Sequence, residues 1–191
     1  MAAYRSGDRA AFERLAKRYW SNLYEYLRGV TRDEAGAEDV LTATLYKLHR
    51  AAATYEPRGA FKSFLFTIAR REAISWLRSR HKDRVTDSLT STQGDGTAVQ
   101  RDVAASVPGP AAAVSMRQAL RAVDAALDTL PEGQRTAFLL YYREGMSTDA
   151  IAEVMGLSPG SVRAYITKAR QRLRETVLKT HDIFGAGDPR G

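Results

Sequence analysis

STDAIAEVMGLSPGSVRAYITKARQRLRE, residues Ser147–Glu175, decides how the rest of the chain is read. Ser147 is placed to cap a short helix, TDAIAEVM, and Gly156 to end it. Ser158 then caps a second helix that has Pro159 in its first turn. Two capped helices across a tight Met155-Gly156-Leu157 turn have the spacing of a helix-turn-helix. Ile151 and Val154 are expected to pack against Val162 and Ile166, with Leu157 filling the corner. The second helix keeps an apolar stripe, Val162–Ile166–Ala169–Leu173. Its other faces carry Arg163, Lys168, Arg170, Arg172 and Arg174, with no acid before Glu175.

A helix of this kind fits the DNA major groove. Arg or Lys can donate to guanine there, and Thr can contact the thymine methyl. Arg163, Ala164, Tyr165, Thr167 and Lys168 lie off the apolar stripe and are the candidate groove residues. Arg170, Arg172 and Arg174 suit phosphates, which give affinity and register rather than sequence reading. The plainer alternative is a solvated basic face on an ordinary bundle helix. The paired caps and the glycine turn favour the DNA reading.

Working outward, almost everything else with a period is helical. Phe12, Leu15, Tyr19, Leu23 and Leu27 recur at steps of three and four within Ala11–Leu27. A second helix, Glu34 to Ala53, carries Val40, Leu41, Leu45 and Leu48. Pro57 and Gly59 interrupt it in TYEPRG. FKSFLFTIARREAISWLRSR, Phe61–Arg80, is apolar over most of its girth early on, so one side is expected to be deeply buried. His81–Ala113 is rich in Ser, Thr, Gly, Asp, Ala and Pro, and it includes Asp87, Asp95 and Asp102. It has no sustained period and too little apolar surface to offset its ordering entropy, which reads as a flexible linker. Helical spacing resumes with Leu120, Val123, Leu127 and Leu130, and PEGQRTAFLLYYRE reads as one further helix stopped by Gly145.

The expected fold is therefore all-α, two small helical domains joined by a flexible linker. The boundaries are 1–82, a linker at 83–113, a second domain at 114–179 and a tail at 180–191. The 191 residues suit one or two small domains, and the 44% hydrophobic content is enough for compact cores. A net charge of +7 points to an anionic partner, nucleic acid before membrane. With no cysteine there is neither a disulfide framework nor a thiolate metal site. The N-terminus lacks a signal peptide's apolar core and no window approaches the roughly 20 apolar residues of a membrane span, so a cytoplasmic protein without membrane insertion is expected.

LPEGQRTAFLLYYREGMSTDAIAEVMGLSPGSVRAYITKARQRLRE, Leu130–Glu175, resembles the fourth conserved domain of sigma-70 family sigma factors. GDRAAFERLAKRYWSNLYEYL, AEDVLTATLYKLHR and FKSFLFTIARREAISWLR resemble the second conserved domain, in the same order. The third domain of larger sigma factors has no counterpart, an economy similar to that of the extracytoplasmic-function type, group IV. The resemblance spans the chain except the linker and the tail after Lys179.

It implies a transcription initiation factor with core RNA polymerase and promoter DNA as partners, and no cofactor, metal or catalytic residues of its own. AEDVLTATL, Ala37–Leu45, corresponds to the helix that docks on the beta-prime clamp helices, with Glu38, Asp39, Thr42 and Lys47 as implied contacts. The beta flap is a further implied contact on the polymerase. Thr42-Ala43 stands where the family often has Gln-Glu, removing a charge and a long amide. TYEPRGAF, Thr54–Phe61, corresponds to the loop that captures a flipped base of the −10 element. A splayed base needs a stacking surface and an exposed strand needs positive charge. Tyr55, Arg58, Phe61, Lys62, Arg70 and Arg71 are the implied single-strand residues, with Arg78 and Arg80 following the backbone. Arg71 stands where many members have Asn. Phe64 and Trp76 read instead as core.

The −35 element would be read in duplex form by Arg163, Ala164, Tyr165, Thr167 and Lys168, with Arg170 and Arg172 on phosphates. Ala164 and Thr167 are smaller than many counterparts. Tethering two weak DNA contacts raises the effective concentration of the second. An anti-sigma protein is a further implied partner. The alternatives are a stand-alone helix-turn-helix regulator and a DNA-acting enzyme such as a resolvase or nuclease. Nothing in Ala2–Arg80 reads as a ligand pocket. His49, His81 and His181 lack ligand spacing, and no nucleophile sits in a motif.

Overall fold

A computed structural model describes Met1, Tyr4, Asp8–Ala52, Tyr55, Ala60–Asp87 and Val123–Gly185 of the chain. Every regular element among these residues is helical. Three helices form the N-terminal lobe: α1 (Arg9–Thr31), α2 (Glu34–Ala51) and α3 (Phe61–Asp87). The C-terminal lobe holds α4 (residues 123–128), α5 (Glu132–Phe138), a π turn (Leu139–Arg143), α6 (Thr148–Met155) and α7 (Pro159–Gly185). The all-α, two-lobed architecture expected from the sequence is the one observed.

The helix ends follow local chemistry. The Asp8 carboxylate accepts from the Ala11 amide at 3.1 Å and opens α1. Asp33 does the same for α2, accepting from the Gly36 amide at 2.7 Å. Between them Arg32 turns the chain with a φ of 58°, left-handed, its N–H bonding the Arg28 carbonyl. Leu23, Tyr26, Leu27 and Val30 form the buried stripe of α1, facing Val40, Leu41 and Leu48 of α2 and Leu65, Phe66, Ala69 and Ala73 of α3. The Tyr26 and Phe66 rings meet edge to face, 5.2 Å apart. Gly36 lets α2 approach α3: a Cβ there would lie 2.2 Å from Cζ2 of Trp76. Phe64 and Trp76 pack on the core, as expected of them.

In the C-terminal lobe, Ser147 Oγ accepts from the Ala150 amide at 3.2 Å and Ser158 Oγ from the Ser161 amide at 3.1 Å. Gly156, at φ 66°, ends α6 with its N–H on the Ala152 carbonyl. Ile151, Val154, Val162 and Ile166 are all buried in one cluster across the turn. These are the caps, the turn and the packing expected for Ser147–Glu175.

Four local features differ from expectation. Leu157 is 36% exposed and does not fill the corner; the residue buried there is Met155. The left-handed Gly156 redirects the chain so that the next side chain leaves the core. PEGQRTAFLLYYRE is not one continuous α-helix: from Leu139 it widens into a π turn, and the Glu144 amide bonds back to the Leu139 carbonyl at 3.1 Å. α3 runs on to Asp87, through residues 83–87 assigned to the linker, because the sequence offers no glycine or proline before Gly94. For the same reason α7 continues past Lys179 to Gly185. The remainder of the expected linker, together with Arg58 and most of its loop, lies outside the described residues.

The two lobes touch. α3 packs on α6, and α1 packs on α5 and the π turn. Gly29 of α1 sits against Leu139, where a Cβ would lie 2.8 Å from Cδ1.

Candidate nucleic-acid and polymerase interface

α7 carries the clearest surface. Val162, Ile166 and Ala169 are buried and Leu173 half-buried, so the 3.6-residue period turns the intervening positions outward. Arg163, Ala164, Thr167, Lys168, Arg170 and Arg172 are all exposed. No ion pair among the described residues involves the five basic side chains from Arg163 to Arg174. Glu175, the first acid, takes a hydrogen bond from Gln171 at 3.0 Å instead. The cations therefore stand together in water with no anion paired to them among the described residues, ready for phosphates. Tyr165 is placed differently from the other groove candidates. It is half-buried, and its ring lies over Gly133 of α5, so close that a Cβ there would come within 2.9 Å of Cε2.

The residues implied at the −10 strand gather on the first half of α3. Tyr55 packs its ring against Phe64 at 4.9 Å and Phe61 at 6.1 Å, and Phe61 in turn meets Tyr19 of α1 at 5.5 Å. Tyr55 and Phe61 are each half-buried. Arg70 is half-buried and Arg71 exposed. Lys62 is not free. Its Nζ lies 3.0 Å from Oε2 of Glu144 in the other lobe and also donates to the Glu144 carbonyl. Arg80 is likewise committed, 2.8 Å from Asp33 and stacked over Trp76.

The implied polymerase face lies on α2. Glu38, Asp39 and Thr42 are exposed, while Lys47 places Nζ 2.6 Å from Oε1 of Glu72 on α3. Tyr46, 62% exposed, stands one turn beyond Thr42 and shares its side of the helix. Tyr46 and the exposed Trp20 of α1 were not among the expected contacts, although both lie off the apolar stripe of their helices. Glu144, Asn22, Glu25 and Arg143, which join the lobes, were also missed. No local pattern couples positions more than a hundred residues apart.

Burial and charge perturb a few groups around this frame. Burial, aided by the nearby Arg32, holds the Arg135 guanidinium below its ordinary value, and its Nε and Nη1 find no partner among the described residues. Burial pushes the Tyr26 hydroxyl up. The hydrogen bond from Arg14 holds the Asp8 carboxyl down. No group of three or more potential metal ligands occurs among the described residues. No described helix is long and apolar enough to cross a membrane.

Residues 15–83 match the family described as Sigma-70 region 2, and residues 120–173 match Sigma-70, region 4. The sigma factor CarQ of Myxococcus xanthus is 33% identical over 92% of this chain and 94% of its own length. The chain belongs to the sigma-70 family. Its type is the extracytoplasmic-function one. The extracytoplasmic-function sigma factor SigM of Bacillus subtilis is 28% identical, covering 82% of this chain and 88% of its own. A probable sigma factor of Xanthomonas campestris, RfaY, is 29% identical over 97% of this chain, which spans 45% of that protein's length. Among solved structures, the sigma factor RpoE bound to the anti-sigma factor NepR from Bartonella quintana superposes with a TM-score of 0.71 at 25% identity, over 88% of this chain and 97% of that one. CnrH in complex with the cytosolic domain of CnrY shares the fold, with a TM-score of 0.65 at 22% identity. The family is one of transcription initiation factors.

Proposed function

We infer that this chain is the promoter-specificity subunit of a bacterial RNA polymerase, acting in the cytoplasm. The observation that carries the reading is the unpaired basic face of α7, set on a doubly capped helix-turn-helix in a chain that also holds region 2 in order. Residues 114–179 take the −35 duplex. Arg163, Thr167 and Lys168 face base edges, Ala164 allows close approach, and Arg170 and Arg172 hold phosphates. Tyr165 contributes by fixing α7 against α5 as much as by touching DNA. Residues 1–82 take the polymerase and the −10 strand. Glu38, Asp39 and Thr42 dock on the beta-prime clamp helices, with Lys47 and Tyr46 extending that face. Tyr55 and Phe61 stack a splayed base, while Arg58, Lys62, Arg70 and Arg71 neutralise the strand. Synthesis of RNA belongs to the polymerase.

The C-terminal lobe also meets the beta flap, and an anti-sigma protein that covers both lobes is the expected regulator. Its test is co-purification from the host: full activity of the native protein throughout growth, with no inhibitor bound, would remove it.

Run-off transcription with core polymerase on pooled promoter fragments of the host tests the main reading. Discrete transcripts should appear only when the protein is added. Their absence, alongside tight duplex binding by the protein alone, would replace this reading with a stand-alone regulator.

A further inference from the structure

We propose that Glu144 is an intramolecular latch: its carboxylate occupies Lys62 and Asn22 of the N-terminal lobe, holding the chain closed and keeping Lys62 from the −10 strand. The role of Lys62 at the strand rests on the functional reading above; the latch itself rests on geometry. Glu144 ends the π turn, and its side chain is completely buried, the only acidic residue so placed among the ion pairs of the described residues. Oε2 lies 3.0 Å from Lys62 Nζ and 3.2 Å from Asn22 Nδ2. Lys62 also donates to the carbonyl of the same residue. A fully buried carboxylate persists only with partners of this kind, and both partners come from the opposite lobe.

The π turn is what aims it. Widening one turn of the helix acts like inserting a residue, so side chains beyond it are rotated by roughly a quarter to a third of a turn relative to a plain α-helix. The flanking contacts agree in direction. Arg143 donates to the Glu25 carbonyl at 3.0 Å and lies 3.4 Å from its carboxylate. Arg32 donates to the Asp128 carbonyl at 2.9 Å. Gly29 admits Leu139 between them, so the lobes close on apolar surface as well as charge.

The consequence concerns Lys62. An anionic strand and the Glu144 carboxylate compete for one ammonium, and the carboxylate is already there. The partner that separates the lobes must therefore displace it, and core polymerase, which has to hold the two DNA-reading lobes at two separate promoter elements, is the partner of that kind. The closed form then lowers the apparent affinity for core in proportion to the open fraction.

The absence of cysteine makes the test direct. Ser21→Cys on α1 and Glu153→Cys on α6, both exposed, carry a spin-label pair on the full chain. Pulsed distance measurements are compared for the parent, Glu144→Gln and Gly29→Leu, with circular dichroism confirming helix content. The parent should give one narrow, short distance. Both variants should broaden it toward long distances and bind core polymerase about tenfold tighter, the gain expected if about nine-tenths of the parent is closed. A broad distribution in the parent, or a narrow one retained in Glu144→Gln, overturns the latch. Opening without a gain in core affinity overturns its competition with core binding. Opening in a protein that binds core in no form leaves the latch standing and sinks the functional reading instead. If Gly29→Leu loses helix content, Glu144→Gln alone decides.

Discussion

α7 and α3 are both long helices rich in arginine and lysine, and they hold those charges in opposite ways. On α7 the cations from Arg163 to Arg174 stand exposed, with no ion pair among the described residues. On α3, Lys62 is bound by Glu144 and Arg80 by Asp33, while Glu72 takes Lys47 from α2. The difference follows from where each helix lies. α7 crosses the outside of its lobe, with only one apolar stripe turned inward. α3 is the centre of the N-terminal lobe and meets α1, α2 and α6, so carboxylates of neighbouring segments, Glu144 and Asp33, reach two of its basic residues. Basic composition alone therefore says little about availability. A free cation on a rigid helix is ready for phosphate at once, whereas a paired one must first lose its carboxylate.

The largest effect that would test this contrast is on DNA binding. Replacing Arg170, Arg172 and Arg174 together by alanine should lower the slope of log affinity against log salt by about three, close to one per lost phosphate contact. Between about 50 and 200 mM salt, that removes roughly a fiftyfold change in affinity. Thermal stability should hardly move. A slope that stays unchanged in binding titrations would show that these cations do not meet phosphates.

Next in size is Gly36→Ala, which forces a methyl into the Trp76 ring. It should destabilise the N-terminal lobe by about 1–3 kcal/mol, read in denaturant unfolding, while leaving duplex binding by α7 intact. Loss of both together would mean that the lobes do not hold their structures separately. Ser147→Ala removes the cap of α6 and should cost about 1 kcal/mol, with the complementary pattern of a C-terminal lobe weakened and an N-terminal lobe unchanged.

Lys47→Met breaks the pair with Glu72. The lysine is more than half exposed, so stability should fall by no more than about 0.5 kcal/mol. A much larger effect on core binding than on stability would mark Lys47 as a contact rather than a brace. The smallest effect concerns Asp8. Its carboxyl is held below its ordinary value of 3.8 by the Arg14 hydrogen bond, so it stabilises α1 above that pH and the contribution fades as pH falls through the lower, folded value. Asp8→Ala should remove that acid-limb dependence, and melting curves below pH 4 that superpose with the parent's above it would contradict the assignment.

Much of this was legible because it is local. Ser147, Gly156 and Ser158 act on amides and carbonyls within four residues, so their roles can be read without knowing the fold. The stripe of α7 and the stripes of α1 and α2 are set by the helical period, and the buried residues fall where that period puts them. The exposed DNA candidates follow as the remainder of the same count. Tyr165 escaped it because a glycine at position 133, on another helix, made room for its ring. Leu157 escaped it because a single left-handed residue redirected the chain.

By itself, then, the sequence determined the helices, their caps, the helix-turn-helix and the family, since each depends on neighbours along the chain or on motifs in order. Only the tertiary structure decided which cations are free, that Leu139–Arg143 opens into a π turn, and that Glu144 meets Lys62 across 82 positions. Those outcomes depend on how two lobes approach each other. Charge pairing acts through distance in space, and no periodicity along the chain encodes it.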